Sequence, residues 1–208
     1  MLKVYGIKGS RAARTLWMCR ELGISFDQVP VNFADPASKT TEFLALNPSG
    51  KIPVIDDGEV SLSESMAINI YLAKKHASPL MPTDLAGEAR VLQWSFWVVT
   101  EMEKSLLQAL FQRMQPPADA AAAQYFRERN PLNPEVERVA LEAIEKPLTY
   151  LNSHLATREY LLGSEFSLAD LNVASVLGWL IPARVDLSNK PHVQQWLSRC
   201  LGRPAARG

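Results

Sequence analysis

Short apolar runs alternate with amphipathic ones through the first 77 residues, and then the alternation stops. Leu2–Tyr5 is a β-like run. Arg11–Leu22 places Ala12, Leu16, Cys19 and Leu22 at helical spacing, and Gly23 follows where a glycine commonly ends a helix. The pattern predicts a second strand over Phe26–Val31 and a short helix over Thr41–Leu46, stopped by Asn47-Pro48. Val54–Asp56 and Val60–Leu62 flank Asp57-Gly58, a strong hairpin signal. A helix opening at Ser63 or Glu64 runs to about His76. The predicted order, β-α-β-α-β-β-α, implies both parallel and antiparallel links.

Ser78-Pro79 and Met81-Pro82 mark residues 78–83 as a linker between a first domain, 1–77, and a second, 84–208. The second reads as helix only. Residues 85–114 are expected to form one long helix or a bent pair. Residues 115–134 hold four prolines around an Ala-rich piece, which suggests an irregular segment with a short helix inside. Residues 135–155 are helical, with Val136, Val139, Ala140, Ala143 and Leu151 as apolar positions and Pro147 as a candidate kink. Helices over 168–180 and 192–200 complete it. Ser167-Leu-Ala-Asp170 is an acidic variant of the capping box.

Composition changes this picture little. The chain has 208 residues, 47% of them apolar and 21% charged, as in ordinary globular proteins. Lys+Arg and Asp+Glu are 22 each, so the formal net charge is zero and a general polyanion binder is disfavoured. Neither a signal-peptide core nor an apolar run of membrane-spanning length is visible. Cys19 and Cys200 lie far apart, and His76, His154 and His192 lack metal spacing. A metal-free protein of the reducing cytoplasm is expected.

Chemistry concentrates in NPSGKIPVIDDGEVSLSES, Asn47 to Ser65. A cis Ile52-Pro53 bond would leave the Ile52 backbone facing outward, able to pair with an extended peptide. Ser63-Glu64-Ser65 opens a helix whose free N–H groups and positive dipole end suit a carboxylate. The Ser65 hydroxyl adds a donor, and Glu64 an anion for an ammonium. A ligand with carboxylate and amine on one carbon fits. Upstream, GSRAARTL puts Ser10 at the start of the first helix. There its oxygen can cap the turn, and its proton can reach a bound group. Arg11 and Arg14 follow as sources of positive field or as ordinary solvated charges.

The ordered set NPxGKIP…ES, together with GSEFSLADL, resembles the cytosolic glutathione transferases over essentially the full length. The likeness is to bacterial-type, serine-type members of phi or theta character. It implies an α/β plus all-α protein: a thioredoxin-like N-terminal domain followed by an all-helical C-terminal domain. It further implies glutathione, γ-Glu-Cys-Gly, as co-substrate, with no metal. Glu64 and Ser65 match the residues holding the γ-glutamyl end. Ile52, before Pro53, matches the residue pairing with the cysteinyl part. Lys39 and Lys51 match donors for the glycine carboxylate; many phi-like members carry Gln at the place of Lys51.

The catalytic residue implied is Ser10, which would hydrogen-bond the thiolate, with Tyr5 the alternative from its likeness to the tyrosine of other classes. No cysteine stands at Ser10, so thiol–disulfide exchange is disfavoured. An apolar electrophile pocket between the domains is expected, with Trp97, Phe111, Met114 and Trp179 as candidates. Glu101 is a candidate contact to a partner subunit, since the family forms homodimers. The expected activity is conjugation of glutathione to hydrophobic electrophiles, a detoxifying chemistry. Alternatives are a glutathione-dependent dehalogenase, isomerase or peroxidase, or a non-catalytic regulatory or binding module. Neither nucleic acid nor membrane is an expected partner.

Overall fold

The computed structural model describes residues 1–32, 39–116 and 120–208. The chain divides into two compact units, Met1–Glu88 with Gly202–Gly208, and Ala89–Leu201. This division falls inside the helix Leu85–Trp97, and the chain's last residues belong to the first unit.

The first unit is built on a four-stranded sheet of order β2-β1-β3-β4. The strands are β1 Leu2–Tyr5, β2 Phe26–Val29, β3 Val54–Asp56 and β4 Ser61–Ser63. β1 pairs parallel with β2, in register Tyr5 to Val29, and antiparallel with β3, Tyr5 to Val54. β3 and β4 form an antiparallel hairpin with Val54 opposite Ser63. β2 ends two residues earlier than the apolar run suggested: Pro30 removes a ladder donor, although Val31 is still buried. β4 is shifted one residue onward from the predicted run. The Asp57 side chain occupies the turn, accepting from the Glu59 and Val60 N–H groups at 3.0 Å each.

Three helices complete the first unit: α1 Ala12–Glu21, α2 Thr41–Leu46 and α3 Ser65–Lys75. α1 buries Ala12, Leu16, Met18 and Cys19. Gly23 ends it in the left-handed region, φ +62°, with its N–H on the Arg20 carbonyl. Burial pushes the Cys19 thiol up to about 12, as befits a small apolar filler rather than a nucleophile. Residues 202–208 clasp α1: Arg203 grips Glu21 in a fork at 2.7 and 2.7 Å, and Arg20 donates to the Ala205 carbonyl at 3.2 Å.

The second unit is helical. α4 Leu85–Trp97 runs through a π-helical turn, Val98–Glu103, into α5 Lys104–Arg113. The expected long helix is thus present, with a change of hydrogen-bond period in its middle. α6 Ala120–Arg129 is the short helix anticipated in the proline-rich segment. α7 Pro134–Leu155 starts on an Asn133 cap that accepts from the Glu135 and Val136 N–H groups. It continues through Pro147 without a break. The carbonyl that Pro147 leaves unpaired belongs to Ala143, which is exposed and open to water; Val139 also faces solvent. α8 Leu168–Leu177, a 3-10 turn Gly178–Leu180 and α9 Pro191–Leu201 form the rest of the unit. A further short helix, α10 Pro204–Arg207, lies in the returning segment and was not predicted.

Candidate functional site

The turn between β1 and α1 is held from beneath. The Gly6 N–H donates to the Val29 carbonyl at 2.9 Å, and Gln28 donates to the Gly6 carbonyl at 2.8 Å. Gly6 has φ +139°, and a Cβ there would stand 2.5 Å from that of Ala12 and 3.4 Å from that of Ile52. Glycine is required for backbone and for space. Its absence of side chain lets the start of α1 approach Ile52.

Ser10 sits at this start, half-buried. Helical geometry begins at Arg11, one residue beyond the expected cap, yet the Ser10 oxygen still accepts from the Ala12 N–H at 3.1 Å. Its own proton goes to the Ile7 carbonyl at 2.7 Å. Tyr5 lies lower, with its ring 5.7 Å from that of Phe43, against a cluster of Val31, Phe43 and Val54.

The NPSGK turn folds around Asn47. This side chain donates to the Lys51 carbonyl at 2.8 Å and accepts from the Ser49 hydroxyl at 2.9 Å and its N–H at 3.3 Å. Gly50, φ +64°, closes the turn, and its N–H bonds the Asn47 carbonyl at 2.9 Å. The Lys39 stem passes 3.4 Å from where a Gly50 Cβ would stand, so Lys39 and Lys51 flank one turn. The Ile52-Pro53 bond is cis. Among the described residues, the Ile52 N–H and C=O have no hydrogen-bond partner.

α3 begins differently from the other long helices. Glu64 precedes it at φ +69°, ψ 106°, and its side chain makes no capping bond. The first helical bond runs from the Ile68 N–H to the Glu64 carbonyl at 2.9 Å. Among the described residues, the N–H groups of Ser65, Met66 and Ala67 have no acceptor. Ser65 is buried, and Arg14 of α1 donates to its hydroxyl oxygen at 3.3 Å. Donors without acceptors at a dipole's positive end form an anion site. The first unit therefore gathers open donors at α3, an unpaired peptide edge at Ile52 and a hydroxyl at the start of α1.

The helical unit separates the remaining candidates. Trp97 packs edge-on to Trp94 at 5.1 Å and against Tyr150 at 5.9 Å. Phe111 meets Phe126 at 5.8 Å and lines a shallow cavity of about 190 Å³ with Gln108, Arg129 and Val136. Met114 and Trp179 are half-buried, and Glu101 is exposed on the π-helical turn. Trp97 and Phe111 thus belong to different aromatic groups. Among the described residues, no His, Cys, Asp and Glu cluster could hold a metal, and no helix is long and apolar enough to cross a membrane.

Models of two successive domains match this chain: glutathione S-transferase, N-terminal domain, over residues 1–74, and glutathione S-transferase, C-terminal domain, over residues 104–204. The chain belongs to the glutathione S-transferase family. Among its curated relatives is glutathione S-transferase 3 of Zea mays, 36% identical over 98% of this chain and 90% of that protein. A solved glutathione S-transferase-I bound with lactoylglutathione is 32% identical, with a TM-score of 0.85 over 99% of this chain and 96% of its own. A theta-class glutathione S-transferase of Xanthomonas axonopodis pv. citri, solved with glutathione bound, is 25% identical, with a TM-score of 0.86 over 99% of this chain and 95% of its own. The resemblance read from the sequence is thereby established, and with it the two-part fold.

Within this glutathione S-transferase, Arg14 and Asn47 are the residues whose part the sequence understates. The pattern marks Asn47 only as a helix stop, and Arg14 only as a charge near Ser10. Nothing in the spacing announces that an arginine on α1 will be 2% exposed.

Proposed function

We propose that this protein conjugates glutathione through its thiolate to hydrophobic electrophiles. The observation that carries this reading is the open first turn of α3 with Ser65 in it. The γ-glutamyl carboxylate takes the N–H groups and the Ser65 hydroxyl, and Glu64 takes the ammonium. The cysteinyl backbone pairs with Ile52, beside Pro53. Lys39 and Lys51 receive the glycine carboxylate.

The sulfur then lies toward the start of α1. A free thiol has a pKa of about 8.5, so ionisation near neutrality needs help. Ser10 provides it by donating to the thiolate. The Ala12 N–H keeps the Ser10 oxygen in place while the hydroxyl proton swings from the Ile7 carbonyl to the sulfur. The dipole of α1 favours the anion further. A serine hydroxyl is too weak an acid to take the role of base, and the thiol proton leaves to water or to the peptide's own carboxylate. The thiolate pair forms the S–C bond, and either a leaving group departs with its own pair or an activated double bond takes up the charge and then a proton. Tyr5, packed on Phe43, supports the floor of this arrangement.

Trp97, Phe111, Met114 and Trp179 offer half-buried apolar surface for the electrophile. Exposed Leu85, Leu92 and Phe96 along α4 suit a homodimer, in which Glu101 faces the second subunit. The cytoplasm, rich in glutathione, suits this chemistry.

Calorimetry with glutathione, and thiolate absorbance of the complex as pH is varied, test the proposal. Binding with a depressed thiol pKa is expected, together with turnover of aryl halides or activated alkenes. Failure to bind at millimolar glutathione rules it out. A depressed pKa that survives Ser10→Ala but not Tyr5→Phe transfers the donor role to Tyr5.

A further inference from the structure

Ser65 has one hydroxyl proton and two lone pairs, and Arg14 decides how they are used. The Arg14 Nη1 reaches the Ser65 Oγ at 3.3 Å. A guanidinium carries donors only, so the oxygen must accept from it and the hydroxyl proton must point elsewhere. Both side chains are nearly sealed, Arg14 at 2% and Ser65 at 5% exposure. Full burial is rare for arginine.

The placement also runs against the stability of both helices it touches. Arg14 lies in the first turn of α1, and its contact Ser65 opens α3; neither first turn carries an acidic residue. A cation at the positive end of a helix dipole is unfavourable. At the starts of α1 and α3 that charge adds to the positive field an incoming carboxylate meets.

We propose that Arg14 is a positioning residue for the α3 site, fixing the Ser65 hydroxyl as an outward donor and setting its charge behind it, so that the site selects a ligand carboxylate over a neutral group. This deepens the glutathione reading and rests on it. Arg14 acts through Ser65 and does not itself touch the ligand. Specificity arises because the site's donors are left without an acceptor when the carboxylate is missing.

The test compares two peptides by calorimetry: glutathione, and γ-aminobutyryl-Cys-Gly, which lacks only the γ-glutamyl carboxylate. The unaltered protein is expected to prefer glutathione by about 30-fold. Arg14→Met should reduce that ratio about tenfold, the low end for one hydrogen bond to a charged group. The kcat at saturating glutathione should stay within about threefold, because KM carries the loss. Arg14→Gln keeps a buried donor without the charge and should lose about threefold in the ratio. It also serves should the Met variant fail to fold. Adding Arg14→Met to Ser65→Ala should lower the ratio further by only about threefold, the share of the charge, since the part that orients the hydroxyl is already lost. Equal weakening toward both peptides, or an unchanged ratio in both Arg14 variants, overturns the proposal while leaving the glutathione reading intact. No binding of glutathione by the unaltered protein overturns both.

Discussion

Ser167 and Ser65 stand at the starts of α8 and α3, and these two helices begin in opposite ways. At α8, the carboxylate of Asp170 collects four donors: the Ser167 N–H at 2.9 Å, the Ser167 hydroxyl at 2.7 Å, the Leu161 N–H at 2.8 Å and the Trp196 indole N–H at 2.8 Å. Asp170 is fully buried, and burial raises its pKa against the donors that lower it. At α3, Glu64 makes no cap, and its backbone occupies a left-handed region unfavourable to a side chain. One start is satisfied within the protein and serves architecture. The other leaves its donors without an acceptor among the described residues, at a cost in stability, and suits a ligand.

Breaking the closed start should have the largest effect. Asp170→Ala strands four donors in a sealed interior and is expected to cost about 3–4 kcal/mol, read from urea denaturation. A loss below about 1 kcal/mol would mean that water replaces the carboxylate and that the start is not closed.

The next effect is on chemistry rather than stability. Ser10→Ala removes the donor assigned to the thiolate and should lower kcat/KM about 100-fold at pH 6.5, by returning the bound thiol toward its free pKa of about 8.5. The loss should shrink as pH rises, and glutathione affinity should change by less than about threefold. A deficit constant with pH would argue against thiolate stabilisation.

The open start gives the converse of the closed one. Glu64→Gly relieves the left-handed strain, so stability should stay within about 1 kcal/mol, while glutathione affinity falls about tenfold with loss of the ammonium's partner. Equal losses in both would make Glu64 an architectural residue like Asp170.

The smallest effect concerns the hairpin beneath α3. Burial works against ionisation of Asp57, but Lys75, Tyr71 and the Val60 and Glu59 N–H groups outweigh it and hold the carboxyl well below its ordinary value. A depressed carboxylate stabilises the fold above its unfolded pKa, about 3.9, and that contribution is lost as pH falls through and below it. Asp57→Asn should therefore reduce stability at pH 7 by less than about 1 kcal/mol, after allowance for the solvent around Lys75. The difference from the unaltered protein should narrow between about pH 5 and pH 2, which chemical denaturation across that range would measure.

The elements were legible because each rests on local chemistry. Asp57-Gly58 specifies a tight hairpin, Gly23 an αL helix stop, and the period of Ala12, Leu16 and Cys19 one face of α1. The ends were less legible where backbone donors decide them, as at Pro30, or where the hydrogen-bond period shifts, as in the π-helical turn Val98–Glu103. The site was legible as a set of types, since NPSGKIP and SES announce an edge and an open helix start. Its wiring was not. The proton of Ser10 on Ile7 and the guanidinium beneath Ser65 join residues whose pairing no local rule specifies.

The sequence by itself determined the helices and strands, the glycines that turn the chain, and the membership that those motifs signal. These depend on dihedral preferences and on apolar spacing within a few residues. Only the tertiary structure decided that Arg14, 51 positions before Ser65 in sequence, would be buried against it. Burial is set by what packs above a side chain, and an arginine carries no mark of that in its neighbours. The same physics separated the two helix starts: Asp170 lies three residues from Ser167 and closes it locally, whereas α3 has no such residue and stays open.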